Sequence, residues 1–298
     1  MHRFDTSLSS PARRRWLAAG AALGGTALAG CATSGSGPSI GRVVVVGGGF
    51  GGATAARYLK MWGGNVDVTL VDRNAAFVSC PISNLVVGGY RQIGDVTRGY
   101  DGLKAMGVKV VQGEVAGIDP VGKRLRLASG TELAWDRLVL SPGIGFMTNE
   151  IGGLQAALDS GRIVHAWQAG PQTVALRNQL TAMPDGGVVA LSIPKVPYRC
   201  PPGPYERACM IASYLKTAKP KSKLLVLDAN PEVQSKKALF ERAFDQHYKG
   251  ILEYRPNAEL KEVSGNVAKL EFEDVRVDVL NVVPPQRAAD IARTAGVV

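Results

Sequence analysis

Short apolar runs and periodic segments take turns along most of this chain, and each kind has its own spacing. Arg42–Val46 is a β-branched run with no turn residue inside it, and Val66–Val71 and Leu138–Leu140 repeat that character, so three strands are predicted. Ala53–Trp62 carries good helix formers at helical spacing and is predicted as a helix. Further along, Gly170–Leu180 predicts a helix, Gly187–Ile193 a strand, Tyr205–Lys216 a helix and Lys223–Asp228 a strand. Residues 232–280 give a mixed pattern with one further strand expected at Glu271–Val279. Strand and helix in alternation point to an α/β fold.

Composition agrees. The chain has 298 residues, enough for two domains. With 46% hydrophobic and 20% charged residues it reads neither as disordered nor as a multi-span membrane protein. There are 36 glycines, about 12% against roughly 7% in typical proteins, which suits many tight strand-to-helix turns.

The first such turn carries chemistry. Arg42–Val46 runs into Gly47-Gly48-Gly49-Phe50-Gly51-Gly52 and then the predicted helix. Gly47, Gly49 and Gly52 meet the G-x-G-x-x-G spacing, in which one glycine turns, one admits a pyrophosphate and one lets helix and strand pack closely. Phosphates would sit at the helix N-terminus. Asp72 ends the next strand twenty residues beyond Gly52, where a carboxylate accepts from an adenosine ribose. FAD and NAD share this unit. Leu138–Gly143, a strand ending in Ser141-Pro142-Gly143, resembles the crossover segment of flavoproteins with two dinucleotide domains, which favours FAD.

At the N-terminus Arg13-Arg14-Arg15 precedes the nearly uncharged run Trp16–Gly30 and a polar stretch, the layout of an export signal. The run is too short for a membrane span. Paired arginines resemble a twin-arginine leader, which exports proteins already folded around a cofactor and predicts a periplasmic protein. Two processing sites fit: small residues at Ala27-Leu28-Ala29, or a lipoprotein-like Leu28-Ala29-Gly30-Cys31 with Cys31 lipidated. The formal charge is +10, of which the leader supplies +3 and residues 32–298 the remaining +7. No aromatic-interleaved basic stripe accompanies it, so nucleic-acid binding is not expected.

The predicted strand Gly187–Ile193 should lead into a second glycine loop if the chain used NAD(P)H. Instead Pro194–Arg207 reads PKVPYRCPPGPYER, whose five prolines remove amide donors and fix φ where a phosphate cradle needs both free. Nicotinamide nucleotide binding is not expected there. Cys200 precedes a helix N-terminus, which favours a thiolate and a redox role; a solvent-facing loop cysteine is the plain alternative. Cys209 lies inside the helix and is expected to be a packed thiol, since a bond to Cys200 needs Cα atoms within about 7 Å. After the leader the cysteines number three, Cys80, Cys200 and Cys209, so at least one lacks an intrachain disulfide partner. His165 and His247 are far apart, lack ligand-like neighbours, and are expected to be surface or structural; no metal site is expected.

Together these motifs resemble the flavin-binding subunit of flavocytochrome c sulfide dehydrogenase. The resemblance rests on Val43–Ala56, Phe77–Gly89 (FVSCPISNLVVGG), Tyr100–Leu103, Tyr198–Ala208 (YRCPPGPYERA) and Asn281–Ala288, and covers residues 41–298. It implies FAD bound covalently through a thioether from Cys80, Cys200 as half of a redox disulfide, and Glu206 as an acidic group that helps move protons. It further implies hydrosulfide as substrate and haem c on a partner cytochrome subunit as electron acceptor. On residues alone Cys80 reads as a buried or free thiol, and Glu206 as a first-turn carboxylate favoured by the helix dipole. The expected FAD contacts are therefore Gly47, Gly49, Gly52, Asp72, Cys80 and Gly143, and the expected catalytic groups Cys200 and Glu206.

The expected organisation is a signal peptide over 1–31, a Gly/Ser linker over 32–40 and a Rossmann-like FAD domain over 41–150. A second, nicotinamide-type α/β domain without a nucleotide loop follows over 151–283, and 284–298 begins a return to the FAD domain. The family's C-terminal domain and its second disulfide cysteine are absent from this sequence, which suggests a truncated chain. Two other readings stay open: a related FAD oxidoreductase of the sulfide:quinone type, and a remnant that binds FAD or a cytochrome without turnover.

Overall fold

The computed structural model describes residues 38–297; the arginine triplet, the apolar run and Cys31 lie outside the described residues. In the first half come β1 (Gly41–Val46), α1 (Phe50–Trp62), β2 (Val66–Asp72), β3 (Phe77–Val78), α2 (Asn84–Val87), β4 (Thr97–Arg98) and α3 (Asp101–Ala105). They are followed by β5 (Lys109–Gln112), β6 (Val115–Asp119), β7 (Arg124–Leu127), β8 (Glu132–Ala134), β9 (Arg137–Leu140) and β10 (Ile144–Phe146). The parallel sheet has the order β5-β2-β1-β9. Its central strand is covered on both faces, which is why β1 reads as an unbroken apolar run. Val43 and Val45 pack with Ala56 of α1, Leu70 and Tyr100. Val44 and Val46 face the antiparallel sheet β6-β7-β8 through Leu125, Leu127 and Trp135. Each buried valine contributes about 1.5–3 kcal/mol relative to exposure.

The second half repeats the plan with α4 (Leu154–Asp159), α5 (Pro171–Ala182), β11 (Val188–Ile193), α6 (Gly203–Ala218), β12 (Lys223–Asp228), α7 (Lys237–Arg242) and β13 (Leu252–Arg255). Then come β14 (Glu262–Ser264), β15 (Val267–Lys269), β16 (Asp274–Arg276), β17 (Val279–Val282), β18 (Gln286–Ala288) and α8 (Asp290–Thr294). The parallel order β13-β12-β11-β17 matches that of the first sheet position for position. Val189, Leu191 and Ile193 face α5 and α6 through Leu176, Ile211 and Leu215, while Ala190 faces β14-β15-β16 through Val263, Ala268 and Val275. β18 crosses back to pair antiparallel with β10.

One predicted strand is two. Glu271–Val279 splits into β16, which pairs with β15, and β17, which joins β11 in the parallel sheet. The break is an aspartate clamp: Asp278 accepts the Val188 amide at 2.8 Å and donates its own amide to the Val188 carbonyl at 2.8 Å. Asp136 does the same for Arg42 ahead of β9, with both distances again 2.8 Å.

Candidate flavin and sulfur site

The glycine loop shows why each glycine is there. A Cβ on Gly52 would lie 1.8 Å from the Gly47 carbonyl oxygen, so helix and strand could not close. Gly47 has φ +99° and a Cβ there would meet the Ser141 carbonyl oxygen at 2.2 Å. Gly49 differs: only Phe77 approaches within 4 Å of its added Cβ, at 3.9 Å, so its backbone faces open space at the N-terminus of α1. Asp72 accepts the Gly48 amide at 2.6 Å and the Asn74 amide at 2.7 Å, which pins the loop to the end of β2. Gly143 has φ +78° with nothing within 4 Å of its added Cβ, leaving the turn after β9 open as well. A cavity of about 670 Å³ adjoins the loop, walled by Gly49, Phe50, Thr54, Phe77, Ser79 and Tyr100 among others. Burial, then the charge of Asp72, pushes the Tyr100 phenol up to about 12. Open backbone at Gly49 and Gly143, free helix amides and an adjoining cavity fit a bound dinucleotide such as FAD.

Cys80 and Cys200 come from opposite halves of the molecule and meet at Trp167. The Cys80 Sγ donates to the Trp167 carbonyl at 3.2 Å. Arg199, next to Cys200, donates to that carbonyl at 2.8 Å and to Cys80 Sγ at 3.4 Å. A Cβ on Gly203 would lie 2.8 Å from the Trp167 ring and 3.1 Å from Cys200 Sγ, so indole and thiol flank the same point. Ser79 is in the cavity wall and Cys80 in this cluster, so one peptide unit joins the dinucleotide and sulfur places.

Cys200 itself has φ +63°, a left-handed conformation that costs a non-glycine residue about 1–2 kcal/mol. It is held by the Gly203 amide donating to its carbonyl at 2.8 Å and by the Arg199 amide donating to Gln286 at 2.9 Å. The expected thiolate preference is corrected: burial first, then the negative charge of Glu206, push the Cys200 thiol up, and the Gly203 amide and Arg199 offset this in part. Proximity to the α6 N-terminus is outweighed because the sulfur is half-buried and Glu206 occupies the first turn of that helix. All three described cysteines are free thiols. Cys209 packs against the core, and burial pushes its thiol up to about 11. His165 is buried, accepts the Trp167 amide on Nδ1 at 2.9 Å, and burial followed by the charge of Arg207 lowers it to about 4; His247 is exposed.

Sequence reading missed Arg207. It is 1% exposed, and its guanidinium donates to Asn84 Oδ1 (3.0 Å), the carbonyls of His165 (2.9 Å) and Ala166 (2.6 Å), and Asn281 Oδ1 (2.9 Å). Asn84 in turn donates to the Gly203 carbonyl at 3.2 Å, tying the segment after Cys80 to the start of α6. An arginine beside a helix-start glutamate ordinarily reads as a surface charge, so nothing in the local sequence signals its burial.

The comparisons extend over both halves. Residues 41–175 match the profile for pyridine nucleotide-disulphide oxidoreductases, and residues 173–284 match that for the central part of the sulfide dehydrogenase (flavocytochrome c) flavoprotein chain. A flavocytochrome c sulfide dehydrogenase flavoprotein chain of Chlorobaculum thiosulfatiphilum is 60% identical over 45 residues, 15% of this chain and 94% of that sequence. Mitochondrial sulfide:quinone oxidoreductase of Mus musculus is 25% identical over 273 residues, 86% of this chain; the chain spans 59% of that relative's length. The sulfide:quinone oxidoreductase structure from Aquifex aeolicus superposes with TM-score 0.72 at 20% identity, over 86% of this chain and 61% of that one, a likeness of fold. With its glycine loop, its paired sheets and these matches, the chain belongs to the flavocytochrome c sulfide dehydrogenase flavoproteins, within the FAD-binding pyridine nucleotide-disulphide oxidoreductase fold.

Proposed function

We propose that this chain oxidises hydrosulfide at Cys200 and delivers the electrons through FAD to a c-type cytochrome partner. The observation that carries the reading is the convergence of Cys80 and Cys200, from two different halves, on Trp167 and Arg199. When bound, FAD supplies an acceptor that takes an electron pair and releases electrons singly, which suits a two-electron donor and a one-electron haem. Gly47, Gly49, Gly52 and Asp72 would hold its adenosine diphosphate half, Gly143 would leave room beside it, and Cys80 would carry the thioether to the flavin 8α-methyl.

The sulfur step would start from Cys200 in a disulfide with a second cysteine thiol, as the family resemblance implies; that sulfur comes from outside the described residues, among which Cys200 is a free thiol. Hydrosulfide attacks Cys200 Sγ; a new S–S bond forms there, the old one breaks, and the partner sulfur leaves as a thiolate holding the electron pair. Arg199 offers a positive charge to the incoming anion, and Glu206, half-buried in the first turn of α6, accepts the remaining S–H proton. Export by the N-terminal leader, with or without lipid on Cys31, belongs to the same reading and places this chemistry in the periplasm.

The test is sulfide-dependent reduction of cytochrome c by FAD-loaded protein, run beside reduction of a soluble quinone. Cytochrome reduction lost in Cys200→Ser supports the reading. Quinone reduction alone replaces the acceptor with the one named for the mouse relative, and no turnover with intact flavin leaves a binding protein. Flavin that stays on the denatured chain, and comes off in Cys80→Ser, tests the covalent link.

A further inference from the structure

Three consecutive residues, His165, Ala166 and Trp167, have every backbone amide and carbonyl bonded to a side chain. Gln172 Oε1 accepts the amides of His165 and Ala166, each at 3.0 Å, and His165 Nδ1 accepts the Trp167 amide at 2.9 Å. Arg207 donates to the carbonyls of His165 (2.9 Å) and Ala166 (2.6 Å), while Cys80 and Arg199 donate to that of Trp167. Ala166 sits at φ +47°, a left-handed conformation that an L side chain keeps only where its surroundings impose it. What this segment holds in place is the Trp167 ring, which is 3% exposed. Around the point where a Cβ on Gly203 would stand, Trp167 Cη2 is 2.8 Å away, Cys200 Sγ 3.1 Å and Trp167 Cζ2 3.4 Å. Cζ2 is the six-membered-ring carbon on the Nε1 side, so the indole N–H lies along the edge that borders Cys200. That N–H is buried and has no acceptor among the described residues. A buried donor is costly without a partner, which marks this edge as a place where an acceptor binds.

We propose that Trp167 binds sulfur carried on Cys200: its indole N–H donates to the outer, anionic sulfur of a Cys200 persulfide. One S–S bond carries that sulfur about 2.0 Å beyond Sγ, into the space between the thiol and the indole edge. An ionised sulfur in a half-buried place needs a donor to replace water. Arg199 already directs one guanidinium nitrogen to the Trp167 carbonyl and to Cys80 Sγ. Glu206, in the first turn of α6, brings a negative charge that works against an anion on Cys200. The indole N–H supplies the uncommitted donor. A persulfide formed in turnover rests on the sulfide reading, whereas the donor role of Trp167 does not.

The experiment builds the persulfide chemically on the reduced full-length chain. The Cys200 thiolate attacks a terminal sulfur of disodium tetrasulfide; a Cys200–sulfur bond forms, an S–S bond breaks, and trisulfide leaves with the electron pair. Cyanide then removes the outer sulfur as thiocyanate and returns the Cys200 thiolate, which peptide mass follows with time. In Trp167→Phe, which keeps a ring and removes the N–H, the outer sulfur leaves Cys200 about tenfold faster, the scale of one hydrogen bond to a charged group. Iodoacetamide alkylation of the plain Cys200 thiol keeps its parent rate. An unchanged cyanide reaction in folded Trp167→Phe overturns the proposal. So does an equal acceleration of the plain thiol, which is loosening alone, and so does a change confined to flavin absorbance, which gives the N–H to the cofactor. Should Trp167→Phe unfold, the isotope-labelled indole N–H signal of Trp167 decides in the parent chain, assigned by elimination with Trp62→Phe and Trp135→Phe. It moves downfield when the persulfide forms, and a stationary signal overturns the proposal. Neither measurement uses sulfide oxidation or an electron acceptor, so a confirmed donor beside a failed cytochrome assay removes the sulfide reading and keeps the role of Trp167.

Discussion

The two parallel sheets have the same strand order and the same aspartate clamp before their last strand, yet their ligand-facing ends are opposites. After β1 three glycines make a loop that is open at Gly49, and Asp72 at the end of β2 is only half-buried. After β11 the chain enters a proline-rich loop, and Asp228, at the matching end of β12, is fully buried. It accepts from Tyr205 (2.8 Å), Tyr254 (2.9 Å), and the amide and side chain of Asn230 (2.9 and 2.7 Å). The acid position that would meet a ribose has been turned inward and filled. What a Rossmann-type unit binds is therefore decided at two places, the loop and the carboxylate, and here both have changed together.

The largest expected effect falls on the buried acid. Asp228→Ala leaves four donors without their acceptor and costs about 3–5 kcal/mol in urea unfolding, whereas Asp72→Ala costs under about 1 kcal/mol and shows instead as weakened FAD binding. Equal losses would erase the contrast between the two acids.

The second effect is set by pH. His165 has a folded-state pKa of about 4 against 6.5 unfolded, so it folds neutral. Its contribution is complete above pH 6.5 and is lost as pH falls toward 4, up to about 3 kcal/mol. Urea midpoints between about pH 7.5 and about pH 4.5 measure the slope, and His165→Gln flattens it.

Next in size is Gly52→Ala, which pushes α1 off β1 and costs about 1–3 kcal/mol with loss of bound flavin absorbance; a flavin-loaded variant would contradict the close packing seen at that glycine. The smallest expected effect is none. Replacing 194–202 by a glycine loop like that of 47–52 gives no NADH binding by fluorescence titration, because Asp228 remains occupied. Binding at low millimolar NADH or below would show that the loop alone had decided.

The strand, loop and helix of the first unit were legible because their signals are local. β-branched residues, glycine spacing and an acid at a fixed offset all act within about thirty residues, and the structure has Gly47, Gly49 and Gly52 in the turn from β1 into α1 and Asp72 at the end of β2. Proline chemistry likewise exposed the altered second loop. The split of Glu271–Val279 was not legible, since an apolar run does not say which of two sheets it joins until Asp278 meets Val188. Nor was the balance at Cys200, where helix-start chemistry favours a thiolate but burial and Glu206 outweigh it.

By itself, then, the sequence determined the α/β plan, a dinucleotide loop in the first half and its loss in the second, because periodicity, φ preference and the missing proline amide are properties of neighbouring residues. Only the tertiary structure decided that Cys80 meets Cys200 at Trp167, that Asp228 is sealed by tyrosines, and that Arg207 is a buried charge. Those outcomes depend on desolvation and on contacts between residues far apart in the chain, such as Arg199 with Cys80 at a separation of 119.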